Sequence, residues 1–137
     1  MKKKVIKTLV VAFAGAFLFS AVTGFSVFQK TPWNVPASAK NKVNPVASNS
    51  ESLATGKALW NTHCKSCHGT KGKGDGSKAA QLKTDPGDFS KAEEQAQSDG
   101  SLYYKTAEGR DDMPSFKKKI PDADDIWSIV NYIRTMK

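Results

Sequence analysis

The sequence predicts a small all-α domain that follows an apolar N-terminal segment. Two stretches repeat apolar residues at helical spacing, one starting near residue 50 and the other near residue 122. No stretch between them alternates apolar and polar residues strongly enough to indicate a half-buried strand. A third observation, the cysteine and histidine spacing at residues 64–68, indicates what the helices enclose.

The N-terminal 30 residues have the order of an export signal. Four lysines at positions 2, 3, 4 and 7 precede an uncharged run of 21 residues, 8–28. This order is typical of a secretory signal, and the run is long enough to cross a bilayer as a helix. We expect residues 1–30 to be either a cleaved signal peptide or an uncleaved membrane anchor, with the rest of the chain outside the cytoplasm.

We favour the anchor over cleavage. The candidate cleavage sequence Ala37-Ser38-Ala39 ends eleven residues beyond Phe28, which is far for a signal peptidase. Lys30 and Trp33 stand where the interfacial anchors of a retained helix would stand. The expected location is the periplasmic face of the cytoplasmic membrane; the alternative is a cleaved chain, soluble in the periplasm.

Residues 31–50, rich in Pro, Asn, Ser and Ala, are predicted to be a flexible linker without fixed structure. A coil of this length would span roughly 25 Å root-mean-square, which would let a tethered domain swing between neighbours. The folded domain is then residues 51–137. The formal net charge is +8, but residues 1–50 hold seven lysines and no acidic residue, leaving fourteen basic and thirteen acidic residues for the domain. This balance does not indicate binding to nucleic acid.

The first helix is predicted to begin near Ser50 or Ser52, since either hydroxyl can cap it. Gly56 stands inside this helix, where glycine costs about 1 kcal/mol relative to alanine. We interpret it as a point of close approach to the last helix, with Trp127, Tyr132 and Ile133 as candidate partners. A merely tolerated glycine is the alternative.

Two further helices are predicted. A short one fits residues 100–108 and ends at Gly109, because glycine favours helix C-termini. The last fits residues 122–136, with Asp122 as its cap. Its buried stripe is predicted to be Ile126, Ile129, Val130 and Ile133.

The most specific pattern is Cys64-Lys65-Ser66-Cys67-His68, which is the attachment signature of a covalent c-type haem. Cys64 and Cys67 would bind the two vinyl groups of one haem, and His68 would supply an axial nitrogen to the iron. Three alternatives remain open: a redox dithiol, a plain disulfide, and a zinc site that also uses His63 or His68. The zinc hypothesis is less favoured because the chain has no other cysteine.

Met113 is the best candidate for the second axial ligand. It precedes Pro114, which restricts it to extended geometry, and 45 residues separate it from His68. Met136 is a weaker candidate, and His63 adjoins Cys64 and is expected on the same side as His68. The alternative for Met113 is a buried side chain that only fills space.

These motifs together resemble a class I monohaem cytochrome c. The matching pieces are residues 56–60, 64–68, 72–76, 99–103, Met113-Pro114-Ser115-Phe116 and 127–134. The resemblance implies three to five helices wrapped around one covalent haem, with thioethers at Cys64 and Cys67 and iron ligands at His68 and Met113. It also implies that a proline carbonyl, here that of Pro86, accepts a hydrogen bond from the ligand histidine.

Iron with both axial positions filled by protein suits electron transfer, because no open site remains for oxygen or peroxide. We therefore expect an electron carrier rather than an enzyme, with redox protein complexes as donor and acceptor. One alternative is the haem subunit of a multi-subunit oxidoreductase, with catalysis on a partner. Another is a haem-based sensor, which needs a vacant or easily vacated iron site.

Overall fold

Two long helices pack against each other, and the remaining elements surround them. The computed structural model describes residues 32–137. In this range there are six α-helices and one 3₁₀ turn: α1 Ala37–Lys40, α2 Ser50–His63, α3 Lys65–His68, the 3₁₀ turn Ala79–Gln81, α4 Ala92–Gln95, α5 Asp99–Glu108 and α6 Ala123–Ile133. The same range contains no strand, in agreement with the all-α prediction. Three helices, α2, α5 and α6, are much longer than one turn. The other three have four residues each, and these short helices raise the count above the expected three to five.

Helix α2 begins one residue from the predicted position, and Asn49 is its cap. The Asn49 side chain accepts a hydrogen bond from the Ser52 backbone at 2.9 Å, and the Ser52 hydroxyl accepts one from the Asn49 backbone at 3.1 Å. This reciprocal capping box satisfies two backbone donors that a helix start would otherwise leave without partners. Ser50 and Ser52 therefore lie within the helix rather than at its cap.

Gly56 lies where α2 crosses closest to α6. An added Cβ would overlap the Ser128 carbonyl oxygen and come within 2.9 Å of the Tyr132 Cβ. The predicted close approach is confirmed, with Tyr132 among the expected partners and the Ser128 backbone an additional one. Trp60, one turn further along α2, is 1% exposed in the core.

Helix α6 begins as predicted, with the Asp122 side chain accepting from the Asp124 backbone at 2.9 Å. All four residues of the predicted stripe are buried, but so are Trp127, Ser128 and Asn131. The helix is thus covered on more than one face. It ends at Ile133, three residues before the predicted end, and the Arg134 guanidinium turns back to bind Asp99 at 2.6 Å.

The predicted flexible linker is wrong over residues 32–49, which we call the strap. Ser98 Oγ donates to the Lys40 carbonyl at 2.6 Å, and the Asn44 amide donates to Asn131 Oδ1 at 2.9 Å. Asn131 in turn donates to the Val46 carbonyl at 3.0 Å, which explains how this polar residue is buried in α6. The strap is held by these amide and backbone hydrogen bonds and by Val46, which packs against the core, and composition reveals neither.

The predicted signal or anchor at residues 1–30 lies outside the described residues. Over residues 32–137, no helix combines the length and apolarity that a membrane crossing requires.

Candidate functional site

A cavity of about 320 Å³ brings all four predicted site residues together. Cys64, Cys67, His68 and Met113 line it, although Met113 is far from the others in sequence. Its apolar lining includes Leu82, Phe89, Leu102, Phe116 and Ile133, and its polar lining includes Glu94, Gln97, Lys105 and Arg110. A mostly apolar cavity of this size with a few convergent polar groups is typical of a small-ligand or cofactor site.

The two cysteines stand on successive helical turns at the junction of α2 and α3. The Cys64 amide donates to Trp60 at 2.9 Å, continuing α2, while the Cys64 carbonyl accepts from Cys67 at 3.1 Å and from His68 at 3.0 Å. Cys64 is buried and Cys67 is half-buried. Burial, and then the neighbouring Cys67, raise the pKa of the Cys64 thiol to about 12.

His68 packs against two aromatic rings, Trp60 and Phe89, which also contact each other. Its ring centroid lies 5.6 Å from that of Trp60 and 5.4 Å from that of Phe89. The Trp60 indole donates to the Gly69 carbonyl at 3.0 Å, which fixes the backbone next to His68. Trp60 belongs to the family-like stretch 56–60, whereas Phe89 lies 21 residues after His68 and belongs to no motif.

The His68 imidazole is kept neutral, and its buried Nδ1 atom has no hydrogen-bond partner within the described residues. Burial lowers its pKa, and this outweighs the opposing effects of the Pro86 carbonyl and then of the nearby carboxylates Glu94 and Asp85. Neutral imidazole is the form that binds a metal. Although the Pro86 carbonyl is close enough to act on the ring, the buried Nδ1 makes no hydrogen bond of good geometry. The expected role of Pro86 is thus supported by proximity but not by a complete hydrogen bond.

A glycine-rich loop folds back on the cysteine–histidine segment. Gly74 donates to the His68 carbonyl at 2.8 Å, and Gly76 donates to the Cys67 carbonyl at 3.2 Å. Gly69 has a φ of 83°, which residues with a side chain rarely adopt. An added Cβ on Gly76 would come within 2.4 Å of the Ser66 carbonyl oxygen, so the close backbone approach also requires glycine there.

Met113 stands on a short loop that is closed by its own backbone. Arg110 and Met113 form an isolated antiparallel bridge, with hydrogen bonds of 2.8 and 2.9 Å. We call residues 109–114 the Met113 loop. Asp112 joins it to residues 83–84, which also line the cavity, because its carboxylate accepts from the Lys83 backbone at 2.6 Å and the Thr84 backbone at 3.0 Å. These donors lower the pKa of Asp112.

Met136, the weaker ligand candidate, lies elsewhere. Its sulfur packs over Gly72 and it is not among the residues that line the cavity. His63 does line the cavity, with its ring 5.8 Å from Phe116. Of the described methionines, Met113 alone reaches the cavity.

Trp33 was expected at a membrane interface, but in the structure it lines the cavity. The Arg110 guanidinium carbon lies 4.4 Å from the Trp33 ring centroid, and the Lys105 ammonium lies 5.4 Å from it. Trp33 and Glu94 are site residues that sequence reasoning missed. Neither forms part of a motif, and both reach the cavity only through long-range folding.

The residues present fit a covalent haem. The two thiols stand beside the neutral imidazole, and a thioether lines the same apolar cavity. Residues 32–137 contain no group of three or more His, Cys, Asp or Glu side chains that could hold a metal ion. The zinc alternative therefore finds no ligand set in this part of the chain.

A family model described as Cytochrome c matches residues 53–137, which is more than half of the chain. The chain belongs to the cytochrome c family. A cytochrome c domain carries a covalently bound haem iron and transfers electrons through it. The matched region contains Cys64, Cys67, His68 and Met113, whereas the strap precedes it.

Solved structures also resemble this cytochrome c domain. One belongs to the "reducing HAO-like protein complex Kustc0457/Kustc0458" of Kuenenia stuttgartiensis, with 25% identity, a TM-score of 0.60 and coverage of 67% of this chain and 46% of that one. Another is the "KustC0563 c-type cytochrome", with 31% identity, a TM-score of 0.53 and coverage of 60% and 96%, respectively. The chain therefore spans about half the length of the first. Among curated proteins, no relative matches.

Proposed function

We propose that this cytochrome c is a class I, single-haem electron carrier. Cys64 and Cys67 form the thioethers, and His68 and Met113 are the axial ligands. When bound, the haem supplies reversible one-electron exchange at iron. The observation that carries the proposal is that one cavity of about 320 Å³ collects two thiols, one imidazole and one thioether from distant parts of the chain.

Each residue has a physical task in this proposal. Trp60 and Phe89 orient the His68 ring, and burial keeps it neutral. The apolar lining excludes water, which disfavours extra charge on the iron and, with a methionine ligand, raises the reduction potential. Because both ligands are held by the fold, electron exchange needs little rearrangement.

Spectroscopy of protein matured in a host competent for cytochrome assembly tests the ligands. The ferric protein should show the near-infrared thioether-to-iron band, and Met113→Ala should abolish it and lower the reduction potential. Met136→Ala is the matched control and should leave both unchanged. A band that persists in Met113→Ala would exclude Met113 as the ligand.

The thioethers are tested by extraction. Replacing Cys64 and Cys67 with alanine should make the haem extractable by acidified organic solvent, whereas the unaltered protein should retain it. A haem retained without both cysteines contradicts covalent attachment. Strong carbon monoxide binding by the unaltered ferrous protein would contradict iron saturation and favour the sensor alternative.

We also propose that the chain stays anchored on the outer face of the cytoplasmic membrane. Cleavage after Ala39 would remove Trp33, which lines the cavity, and this favours retention of the N-terminal segment. The haem should then stay in the membrane fraction after a salt wash. An N-terminus at Lys40, measured by mass spectrometry of the mature protein, would show cleavage instead.

A second candidate is a haem subunit of a multi-subunit oxidoreductase, with catalysis on a partner chain. The likeness to a chain of the reducing HAO-like complex favours it. Purification from the native membrane under mild conditions distinguishes the two, because a subunit should co-elute with a larger redox protein in fixed ratio.

A further inference from the structure

The strap contacts the helical unit from its middle onwards, and it contacts the Met113 loop at its N-terminal end. Near its middle, the Ala39 carbonyl lies against Gly100 of α5 so closely that an added Cβ would overlap it. Ser98 Oγ holds the neighbouring Lys40 carbonyl at 2.6 Å, and Asn44 and Asn131 bind each other further along. These contacts set the position of residues 37–46, and thereby limit where Trp33 can lie.

At its N-terminal end, the strap contacts one side chain of the Met113 loop, that of Arg110. Arg110 stacks on Trp33, with 4.4 Å between the guanidinium carbon and the ring centroid. The same guanidinium donates to the Pro32 carbonyl at 3.1 Å. A guanidinium over an indole face is a favourable cation–π geometry, and the backbone hydrogen bond fixes its direction.

Arg110 is also the residue that closes the Met113 loop. Its amide donates to the Met113 carbonyl at 2.8 Å, and its carbonyl accepts from the Met113 amide at 2.9 Å. Any movement that carries Met113 away from the cavity would have to break this bridge or displace Arg110 from Trp33. The strap and Met113 are therefore mechanically joined through one residue.

We infer that the strap is a working part of the haem site: by stacking on Arg110, Trp33 holds the Met113 loop closed over the cavity. This inference rests on the proposed function, because it concerns the loop that carries the proposed ligand. Trp33 is a positioning residue here, acting on Met113 through Arg110. Trp33 lies outside the family-matched region, whereas Arg110 and Met113 lie inside it.

The test is the rate at which imidazole displaces the native ligand in the full-length ferric holoprotein. Trp33→Ala should raise that rate about threefold to thirtyfold, the range expected when a cation–π contact is lost. Trp33→Phe, which keeps an aromatic face, should give a smaller increase. Val43→Ala is the control, since Val43 lies in the strap but is 85% exposed.

Two further variants separate a clamp from a simple opening of the cavity wall. Gly100→Ala should also raise the imidazole rate, because it displaces the strap at Ala39 while leaving Trp33 and Arg110 intact; alanine itself favours the α5 helix. In a double-mutant cycle, Trp33→Ala and Arg110→Gln should be non-additive, because both remove the same contact.

The outcomes distinguish this inference from the proposed function. If the unaltered protein lacks the thioether-to-iron band, the proposed function fails and the inference fails with it. If the band is present but Trp33→Ala and Gly100→Ala exchange imidazole at the rate of Val43→Ala, the inference alone is overturned. Full additivity of Trp33→Ala and Arg110→Gln would likewise overturn it.

Discussion

The two sides of the cavity are built in different ways. On the cysteine–histidine side the backbone contacts are mostly local; the Trp60–Gly69 hydrogen bond joins residues nine apart. On the methionine side the loop has its own local Arg110–Met113 bridge, but the hydrogen bonds that tie it to other segments are long-range; Arg110–Pro32 and Asp112–Lys83 join residues 78 and 29 apart. Local contacts survive partial opening of a fold, whereas a loop tied to other segments by distant contacts can separate from them as a unit. We therefore expect the methionine side to open first.

The largest effect should come from the helix crossing that supports both sides. Gly56→Val places side-chain atoms where the Ser128 carbonyl lies, so α2 and α6 must separate. We expect a loss of about 3 kcal/mol or more in the free energy of unfolding, measured by denaturant titration of the ferric holoprotein. Ala58→Val, on the exposed side of α2, controls for the poor helix propensity of valine. Equal losses in the two variants would mean that the crossing is not tightly packed.

The next effect concerns the cysteine–histidine side alone. Trp60→Phe removes the indole donor and leaves the buried Gly69 carbonyl with only the longer hydrogen bond from the Gly72 amide, at 3.3 Å, so we expect a cost of about 1 kcal/mol in stability. The thioether-to-iron band should nevertheless persist, because the methionine side does not depend on this hydrogen bond. Denaturant titration and the near-infrared spectrum check the two halves of this prediction. Loss of the band with unchanged stability would reverse our assignment of the two sides.

A smaller effect on stability, but a clear one on ligand exchange, is expected at Asp112. Asp112→Ala removes the acceptor that joins the Met113 loop to Lys83 and Thr84, so imidazole should displace the native ligand severalfold faster. Asp88→Ala is the matched control, because that carboxylate accepts hydrogen bonds from Ser90 within its own turn and not from the Met113 loop. Stopped-flow measurement of the imidazole displacement rate in both variants tests this prediction. An unchanged rate in Asp112→Ala would show that the loop is held without this contact.

The smallest effect is expected at the ion pair between Lys117 and Glu108, which is exposed to solvent. Glu108 raises the pKa of Lys117. Any contribution to stability is then fully present below the ordinary lysine pKa and is lost only as the pH rises through the raised value. Glu108→Gln should leave the thermal unfolding midpoint near neutral pH unchanged. A clear decrease in this midpoint would show that the Lys117–Glu108 ion pair does stabilise the fold.

What could be predicted from the sequence follows the same division. The spacing of Cys64, Cys67 and His68 dictates their proximity, because five consecutive residues cannot move far apart. The α6 stripe and the Gly56 contact also follow from helical periodicity and from the cost of glycine in a helix. Met113 could be selected because Pro114 and the loop position limited the choice.

The strap could not be predicted in this way. Its composition, rich in Pro, Asn, Ser and Ala, indicates a flexible linker. Its order depends on partners such as Asn131 and Ser98, which lie more than fifty residues away in sequence. The contact of Trp33 with the cavity could not be predicted for the same reason, since an aromatic residue after an apolar run also suits a membrane interface.

Seating of the strap changes how far the haem could travel in an anchored chain. Only residues 29–31 separate the apolar run from the strap, and three extended residues span roughly 10 Å. The haem domain of such a protein could not move far from the membrane surface. It would exchange electrons by drifting within the plane of the bilayer until a partner met it, so the supply of electrons would depend on lateral crowding and lipid fluidity.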